Sequence, residues 1–156
     1  MDLYFRKAKA ADLPALIELL ANDKLGQWRE DYRLPLPAPY QEAFREIDAD
    51  PNQELVVAED KAGRLVGTLQ LTFLRYLNYQ GGLRAQIESV RIHSSFRNRG
   101  LGRQLMAWAV ARARQRGAHV VQLTSDKQRP EAIRFYEQLG FRATHEGFKL
   151  HLGHQV

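Results

Sequence analysis

The alternation of apolar and polar residues along the N-terminal third of the chain predicts one strand followed by two helices. The strand is expected over residues 3–8, and Asp12 can cap the first helix, with Pro14 in its first turn. A second, short helix is expected over residues 42–47, after a loop rich in proline and aromatic residues. The apolar residues that share one face of the first helix are Leu13, Leu16, Ile17 and Leu20.

The middle of the chain predicts three consecutive strands. Residues 54–60 and 64–77 are joined by a short link that contains Gly63, which is typical of a hairpin. Residues 78–82 predict a further turn, and residues 84–92 predict the third strand. Strands joined by such short turns indicate an antiparallel meander.

After the meander, the apolar period changes from two to about 3.6 residues. A long helix is expected over residues 99–117, followed by a strand over 119–125, a helix over 130–140 and one or two strands over 141–152. The order of the elements indicates a mixed α/β (α+β) fold. We expect a mostly antiparallel sheet of six to seven strands flanked by about four helices.

The third strand of the meander breaks its own alternation. Its apolar residues change face between Ile87 and Val90. A bulge near Glu88–Ser89 would return them to one face, and it would leave backbone N–H and C=O groups without strand partners, available to a ligand. The alternative is a half-exposed strand with imperfect alternation.

Length and composition narrow the class of protein. With 156 residues, of which 44% are hydrophobic, we expect one domain over residues 1–156 with a substantial core. The absence of cysteine excludes a disulfide scaffold, thiolate metal sites and a cysteine nucleophile, and it fits a reducing compartment. No apolar run approaches the roughly 18 residues of a membrane span, and the N-terminus has no signal core. We therefore expect a cytoplasmic protein with no membrane partner.

The basic residues concentrate where the third meander strand meets the long helix. The net charge is +5, and Arg97, Arg99 and Arg103 are interleaved with Gly100 and Gly102. A helix N-terminus presents unpaired N–H groups, glycines let an anion approach, and arginines add charge-assisted hydrogen bonds. These features predict a pyrophosphate cradle, with a charged helix cap as the alternative. A P-loop would need a lysine that is absent here, and a dinucleotide fingerprint would need a third glycine.

Two motifs resemble the signatures of the GCN5-related N-acetyltransferases. Residues 97–102, RNRGLG, match R/Q-x-x-G-x-G/A, and residues 131–141, EAIRFYEQLGF, resemble a helix that carries a tyrosine before an L-G-F end. The bulged strand and the order of elements are similar to those of the family over essentially the whole chain. The resemblance implies the fold of this family and an N-acetyltransferase that uses acetyl-coenzyme A.

The resemblance also implies which residues hold acetyl-coenzyme A as co-substrate. The backbone of residues 93–102, here called the glycine–arginine loop, would wrap the pyrophosphate, and the bulged strand would bind the pantetheine arm. Many members carry an asparagine that contacts the pantetheine arm or the cofactor tail, near the position where this chain has Arg129. Arg129 could instead reach a phosphate. The expected co-substrate residues are Val90, Arg91, Ile92, Arg97, Asn98, Arg99, Gly100, Leu101, Gly102, Arg103 and Arg129.

The chemistry implied is direct attack of a primary amine on the thioester in a ternary complex. An alkylammonium of pKa about 10.4 is neutral only about one part in a thousand at pH 7, so a base is needed. Glu88 at the bulge is the candidate, directly or through water, with an ion pair to Arg84 or Arg91 as its alternative. The Val90 N–H is the candidate oxyanion donor. Tyr136, which matches the family's tyrosine, is the candidate acid to the thiolate, with core packing as its alternative.

The acceptor is predicted only as a small-molecule or peptide amine. Acids at Glu30 and Asp31, together with aromatic residues, would suit a cationic amine, but the same residues could simply pack the loop. No cluster of His, Asp or Glu has metal-ligand spacing, so we expect no metal. The aromatic candidates for the acceptor site are Trp28, Tyr32, Tyr40, Tyr76 and Tyr79.

Two other functions stay open at this point. A basic nucleic-acid-binding domain is suggested by Arg112, Arg114 and Arg116, although alternate positions fan around a helix and no nucleic-acid motif is present. A module that binds acetyl-coenzyme A without catalysis is the second. His93 is expected to be structural. The resemblance is compatible with a homodimer, but no segment is typical of a dimer interface.

Overall fold

The computed structural model describes residues 1–153. It divides into two compact units, one from Met1 to Gln122 and one that begins at Leu123. The strands are β1 (Tyr4–Lys7), β2 (Gln53–Glu59), β3 (Leu65–Arg75), β4 (Leu83–Ile92) and β5 (Val120–Gln122). The helices are α1 (Leu13–Ala21), α2 (Ala38–Ala49), the single turn α3 (Asn78–Gly81), α4 (Leu101–Gln115) and α5 (Pro130–Gln138).

The first unit is built on a sheet with the strand order β1-β2-β3-β4-β5. Each of the first three strands pairs antiparallel with the next, which confirms the meander. β5 pairs parallel with β4, because α4 carries the chain back across the sheet between them. The mixed, mostly antiparallel α/β class predicted from the sequence is confirmed.

The core of this unit lies around β3, which is buried on both faces. Val66, Leu69 and Leu71 are fully buried although they do not all share one parity, because helices cover both sides of the strand. α1 and α4 both contact β3. The buried face of α4 is formed by Leu101, Leu105, Met106, Ala109 and Ala113, at helical spacing.

Asp12 does not cap α1 as predicted. Its side chain makes no capping hydrogen bond to that helix. Instead its carboxylate accepts two hydrogen bonds from Arg6, at 2.7 and 3.0 Å, and one from the Lys9 N–H at 2.7 Å. A guanidinium is a stronger partner for the carboxylate than a backbone N–H, so the ion pair to β1 replaces the cap.

The second unit contains α5 and, within residues 123–153, no strand. The one or two strands predicted over residues 141–152 are therefore wrong, and the described sheet has five strands instead of six to seven. The apolar alternation that suggested them is real, but Phe148, Leu150 and Leu152 are exposed. Alternation fixes which side chains share a face, whereas a strand also needs a neighbour to accept its backbone hydrogen bonds.

No helix in the described part of the chain is long and apolar enough to cross a membrane.

Candidate active site

The bulge predicted in β4 is present. Gln70 of β3 pairs with Glu88, and Thr68 pairs with Arg91, so the single residue Leu69 lies opposite two residues of β4. One of these, Ser89, has a left-handed φ of 55°. A non-glycine residue rarely adopts this conformation, and the cost is often found where the backbone serves a function.

The outer edge of β4 is covered by β5 along only part of its length. The ladder joins Arg84 to Val120 and ends at Gln86, which pairs with Gln122. The two glutamine side chains close this end with a hydrogen bond of 2.7 Å from Gln122 Nε2 to Gln86 Oε1. The bulge and the residues that follow it therefore lie beyond the end of β5.

Two predicted site residues of the bulge are joined to each other by a side chain. Arg91 Nη1 donates to the carbonyl oxygen of Val90 at 2.9 Å, and Arg91 Nη2 lies 3.5 Å from Asp23 Oδ2. The Arg91 and Asp23 side chains are mostly buried. Glu88, the candidate base, is exposed and directly precedes the bulge.

The glycine–arginine loop connects the bulged strand to α4. A short 3-10 helix over Ser94–Phe96 starts the loop, Asn98 has a φ of 60°, and Gly100 has a φ of 74° just before α4 begins at Leu101. A Cβ at Gly100 would meet no atom within 4 Å, so the space above this backbone is open. The open backbone and the helix N-terminus beside it fit a pyrophosphate.

The cations of the glycine–arginine loop are exposed and partly anchored. Arg97 Nε donates to the Ile92 carbonyl at 3.3 Å, and the two terminal nitrogens of the guanidinium group take no part in this contact. The Arg99 guanidinium lies 5.5 Å from the centre of the buried Phe96 ring. Arg103, on the first turn of α4, is also exposed. The loop and the first turn of α4 together place three arginines near the start of one helix, as the sequence predicted.

A cleft of about 230 Å³ borders the loop on the side of α1. Its lining includes Glu18 and Asn22 of α1 and Arg97 of the loop. His93, which also lines it, accepts a hydrogen bond from the Ser95 N–H at Nδ1, 3.2 Å away, and packs edge-on against Phe96. His93 thus shapes the start of the loop, in line with the structural role expected for it.

The second unit carries Arg129 and Tyr136. Arg129 is the N-cap residue of α5, and its carbonyl accepts hydrogen bonds from two N–H groups in the first turn. The Tyr136 ring packs edge-on between Phe135, at 5.2 Å, and Phe141, at 6.0 Å. The aromatic contacts fix the ring of Tyr136, the candidate acid, within its own unit.

Comparison with known proteins identifies the family. Residues 18–141 match the model of the Acetyltransferase (GNAT) family. The chain belongs to this family.

Relatives of this GNAT chain act on different amines. The L-methionine sulfoximine/L-methionine sulfone acetyltransferase of Pseudomonas aeruginosa is 30% identical over 146 residues, which cover 90% of this chain and 81% of the relative. The aminoalkylphosphonate N-acetyltransferase of Salmonella typhimurium is 32% identical over 111 residues, which cover 69% of this chain and 71% of the relative. A solved structure of a Bacillus halodurans transcriptional regulator is 53% identical, with a TM-score of 0.93, and the match covers 97% of this chain and all of that one.

The aromatic residues proposed for the acceptor site of this GNAT chain fall into two groups. Tyr76 and Tyr79 surround His119, whose ring stacks on Tyr79 at 5.2 Å and hydrogen-bonds to the Tyr76 hydroxyl. Tyr79 lies in the left-handed turn α3, with a φ of 52°. Sequence reasoning missed His119, because it reaches this turn only through the parallel pairing of β5 with β4. Arg84 completes the group, 3.9 Å from the centre of the Tyr76 ring.

The second aromatic group belongs to the segment between α1 and α2. Trp28 is 83% exposed and Tyr32 is also exposed. Tyr40, in contrast, fastens the segment: its hydroxyl donates to Glu30 Oε2 and accepts from the Asp31 N–H, both at 2.9 Å. Burial, more than the neighbouring acids, raises the pKa of Tyr40. Of these residues, Trp28 and Tyr32 keep surface that a ligand could contact.

Two arginines at the C-terminal end of α4, Arg112 and the C-cap residue Arg116, contact other parts of the protein. The Arg112 guanidinium binds the carboxylate of Glu54 at 2.8 Å, and Arg116 approaches the same carboxylate at 3.4 Å. The Glu54 side chain is only 5% exposed, so it requires these cations. Arg116 also lies 4.1 Å from the centre of the Phe73 ring. The basic helix thus neutralises a buried acid of β2.

Within residues 1–153, no three His, Asp or Glu side chains lie together in an arrangement that could hold a metal ion.

Proposed function

We propose that this GNAT acetyltransferase moves the acetyl group of acetyl-coenzyme A to the primary amine of a small molecule. The proposal is supported above all by one arrangement. Only Arg91 and Ile92 separate the β-bulge, with its left-handed Ser89, from the glycine–arginine loop, and the open backbone of Gly100 follows at the start of α4. A strand edge and a helix N-terminus joined by one loop suit a long ligand with a pyrophosphate in its middle.

The glycine–arginine loop and the bulged strand β4 would bind different parts of acetyl-coenzyme A. The loop residues Asn98, Arg99, Gly100, Leu101 and Gly102 would surround the pyrophosphate with backbone N–H groups, and Arg97, Arg103 and Arg129 would add positive charge. The backbone of Val90, Arg91 and Ile92 would hold the pantetheine arm along the edge of β4 that β5 leaves uncovered. Acetyl-coenzyme A supplies the acetyl thioester.

The chain's own groups would then handle protons and charge. Glu88 takes the proton of the incoming ammonium group, directly or through water, and the neutral nitrogen forms the new N–C bond as the C–S bond breaks. The Val90 N–H donates to the thioester carbonyl oxygen as negative charge grows there. This hydrogen bond lowers the barrier by about 3 kcal/mol. Tyr136 gives a proton to the departing thiolate sulfur, and the second proton that the acylated nitrogen loses returns to the Tyr136 oxygen, directly or through water.

The acceptor class follows from the two relatives. L-methionine sulfone and aminoalkylphosphonates share a primary amine and an anionic group on one small molecule, and those are the acceptors named for these relatives. The same class suits a chain with a net charge of +5. Trp28, Tyr32, Tyr76 and Tyr79 are the exposed or half-exposed aromatic residues that could contact it.

Calorimetry with acetyl-coenzyme A, followed by thiol-release assays, tests this function. The acceptor panel is L-methionine sulfone, an aminoalkylphosphonate and benzylamine, which carries no anionic group. Micromolar binding with thiol release on an anionic amine, and little on benzylamine, is the expected result. Binding without release on any amine would favour a non-catalytic module, and no binding would overturn the proposal.

A nucleic-acid-binding role is the second candidate, because a structure 53% identical to this chain is described as a transcriptional regulator. The engagement of Arg112 and Arg116 by Glu54 argues against it, since these side chains already neutralise a buried acid. Gel-shift titrations at two salt concentrations test it. Affinity that falls steeply with salt would support this role.

A further inference from the structure

We propose that Asp23 and Arg91 are positioning residues that hold the Val90 peptide of the β-bulge in the geometry needed for acetyl transfer. The inference rests on the proposed function, since it assigns these two side chains to the bulge at which the thioester is expected to lie. Neither side chain is assigned to the substrates. They would act through the backbone that does touch them.

The Arg91 side chain hydrogen-bonds to the backbone of the bulge in its own strand. Its Nη1 donates to the Val90 carbonyl at 2.9 Å, which limits rotation of the peptide that links the two residues. Val90, the first residue of this peptide, directly follows Ser89, whose φ of 55° is unfavourable for a side-chain-bearing residue. A strained backbone needs external contacts to keep one conformation, and Arg91 supplies one at the adjacent carbonyl.

Asp23 fixes the other side of the guanidinium. Its Oδ2 lies 3.5 Å from Arg91 Nη2 and also accepts a hydrogen bond from the Gly26 N–H at 3.3 Å. The two side chains are only 13% and 15% exposed, so the pair is shielded from solvent far more than a surface ion pair. One carboxylate oxygen of Asp23 thus joins the Arg91 guanidinium to the backbone of the turn that follows α1.

The turn that carries Asp23 is itself rigidly seated on α1. A Cβ at Gly26 would lie 2.0 Å from the Leu20 carbonyl oxygen, so only glycine allows this approach. The Gln27 N–H also donates to the Asp23 carbonyl at 3.0 Å. The end of α1 is thereby linked through one ion pair to the Val90 carbonyl, 67 positions later than Asp23 in the sequence.

The two contacts of Arg91 require the forked shape of its guanidinium group. Arg91 contacts Val90 and Asp23 through two different nitrogens. A lysine carries the same charge on a single nitrogen and cannot reproduce a planar fork. The Arg91→Lys variant therefore distinguishes a positioning role of Arg91 from an effect of its positive charge alone.

The test compares Asp23→Asn, Arg91→Gln, Arg91→Lys and the double variant Asp23→Asn/Arg91→Gln in acetyl-transfer kinetics, with the amine that the wild-type protein acetylates fastest. We expect Asp23→Asn to lower kcat about 10-fold and Arg91→Gln about 10-fold to 100-fold, with KM for acetyl-coenzyme A changed less than about 3-fold. Arg91→Lys should resemble Arg91→Gln. The double variant should be no slower than Arg91→Gln, because Asp23 acts only through Arg91.

Glu54→Gln provides the matched control, since it weakens another shielded arginine–carboxylate pair, the one between Glu54 of β2 and Arg112 of α4. It should lower the melting temperature and leave kcat within about 2-fold. If Arg91→Gln fails to fold, the near-isosteric Asp23→Asn carries the test alone.

Each contrary result has its own meaning. Unchanged kcat in Asp23→Asn would overturn the inference, as would full activity in Arg91→Lys or additive losses in the double variant. If the wild-type protein binds no acetyl-coenzyme A or releases no thiol, the proposed function fails, and the positioning role fails with it. If the wild-type protein is active and the Asp23 and Arg91 variants are as active as the wild type, the proposed function stands and the positioning role alone is wrong.

Discussion

Gly63 and Gly100 share one backbone conformation at two unrelated places in the first unit. Their φ values are 76° and 74°, and a Cβ on either would meet no atom within 4 Å. Gly63 lies in the turn between β2 and β3, whereas Gly100 lies at the N-terminus of α4 beside the arginines of the glycine–arginine loop. The same substitution at both positions therefore separates backbone strain from loss of a ligand site.

Gly100→Glu should abolish binding of acetyl-coenzyme A while the protein stays folded. The new side chain would place a negative charge where the pyrophosphate is expected, and affinity should fall at least about 100-fold, or about 2.7 kcal/mol. Left-handed strain should cost about 1–2 kcal/mol of stability. Calorimetry and circular dichroism measure the two effects.

Gly63→Glu is the control for that variant. It should show a similar loss of stability, because its φ is the same, and unchanged affinity for acetyl-coenzyme A. Wild-type affinity in Gly100→Glu, or an equal loss in both variants, would contradict the cradle at the start of α4.

Glu88→Gln should lower kcat about 100-fold at pH 7, because a carboxamide cannot accept the proton of the ammonium group. KM for acetyl-coenzyme A should change little. Raising the pH should recover part of the loss, since the neutral amine becomes more abundant without a base. Glu46→Gln, an exposed change on α2, serves as the control, and equal rates in the two variants would remove Glu88 from the mechanism.

Tyr136→Phe should reduce turnover much more than affinity for acetyl-coenzyme A. The phenyl ring keeps its edge-on contacts with Phe135 and Phe141, so α5 should retain its packing, and only the hydroxyl is lost. We expect kcat to fall about 10-fold to 100-fold. Steady-state kinetics and calorimetry on one preparation would test this, and wild-type kcat would leave the ring with a packing role only.

The Arg6–Asp12 ion pair should make stability depend on pH. The Arg6 guanidinium is the main cause that lowers the pKa of Asp12. Because the folded pKa lies below the unfolded one, the stabilisation is complete above the unfolded value and is lost as the pH falls through the folded value. Asp12→Asn should cost about 1 kcal/mol at pH 7 and progressively less below about pH 4. Urea unfolding at pH 7, 5 and 3 measures the difference, and a constant difference would contradict the assignment.

Several parts of the site follow from local sequence patterns. The parity change in residues 84–92 located the bulge to within a residue, because strand alternation is a local property with a period of two. The glycine–arginine loop was found because glycine and charge at a helix start have local consequences. The final strands were wrong for the opposite reason, since pairing depends on a neighbour that the local pattern does not specify.

The sequence by itself determined the order of the elements as far as α5, the bulge, the loop and the family. Only the tertiary structure decided which distant groups meet: Asp23 with Arg91, 68 residues apart, Glu54 with Arg112, 58 apart, and Tyr76 with His119, 43 apart. Helix and strand periods report which face of an element a residue occupies. The partner of that residue depends on how the elements pack, and in this chain those partners hold the bulge, neutralise the basic helix and build the aromatic turn.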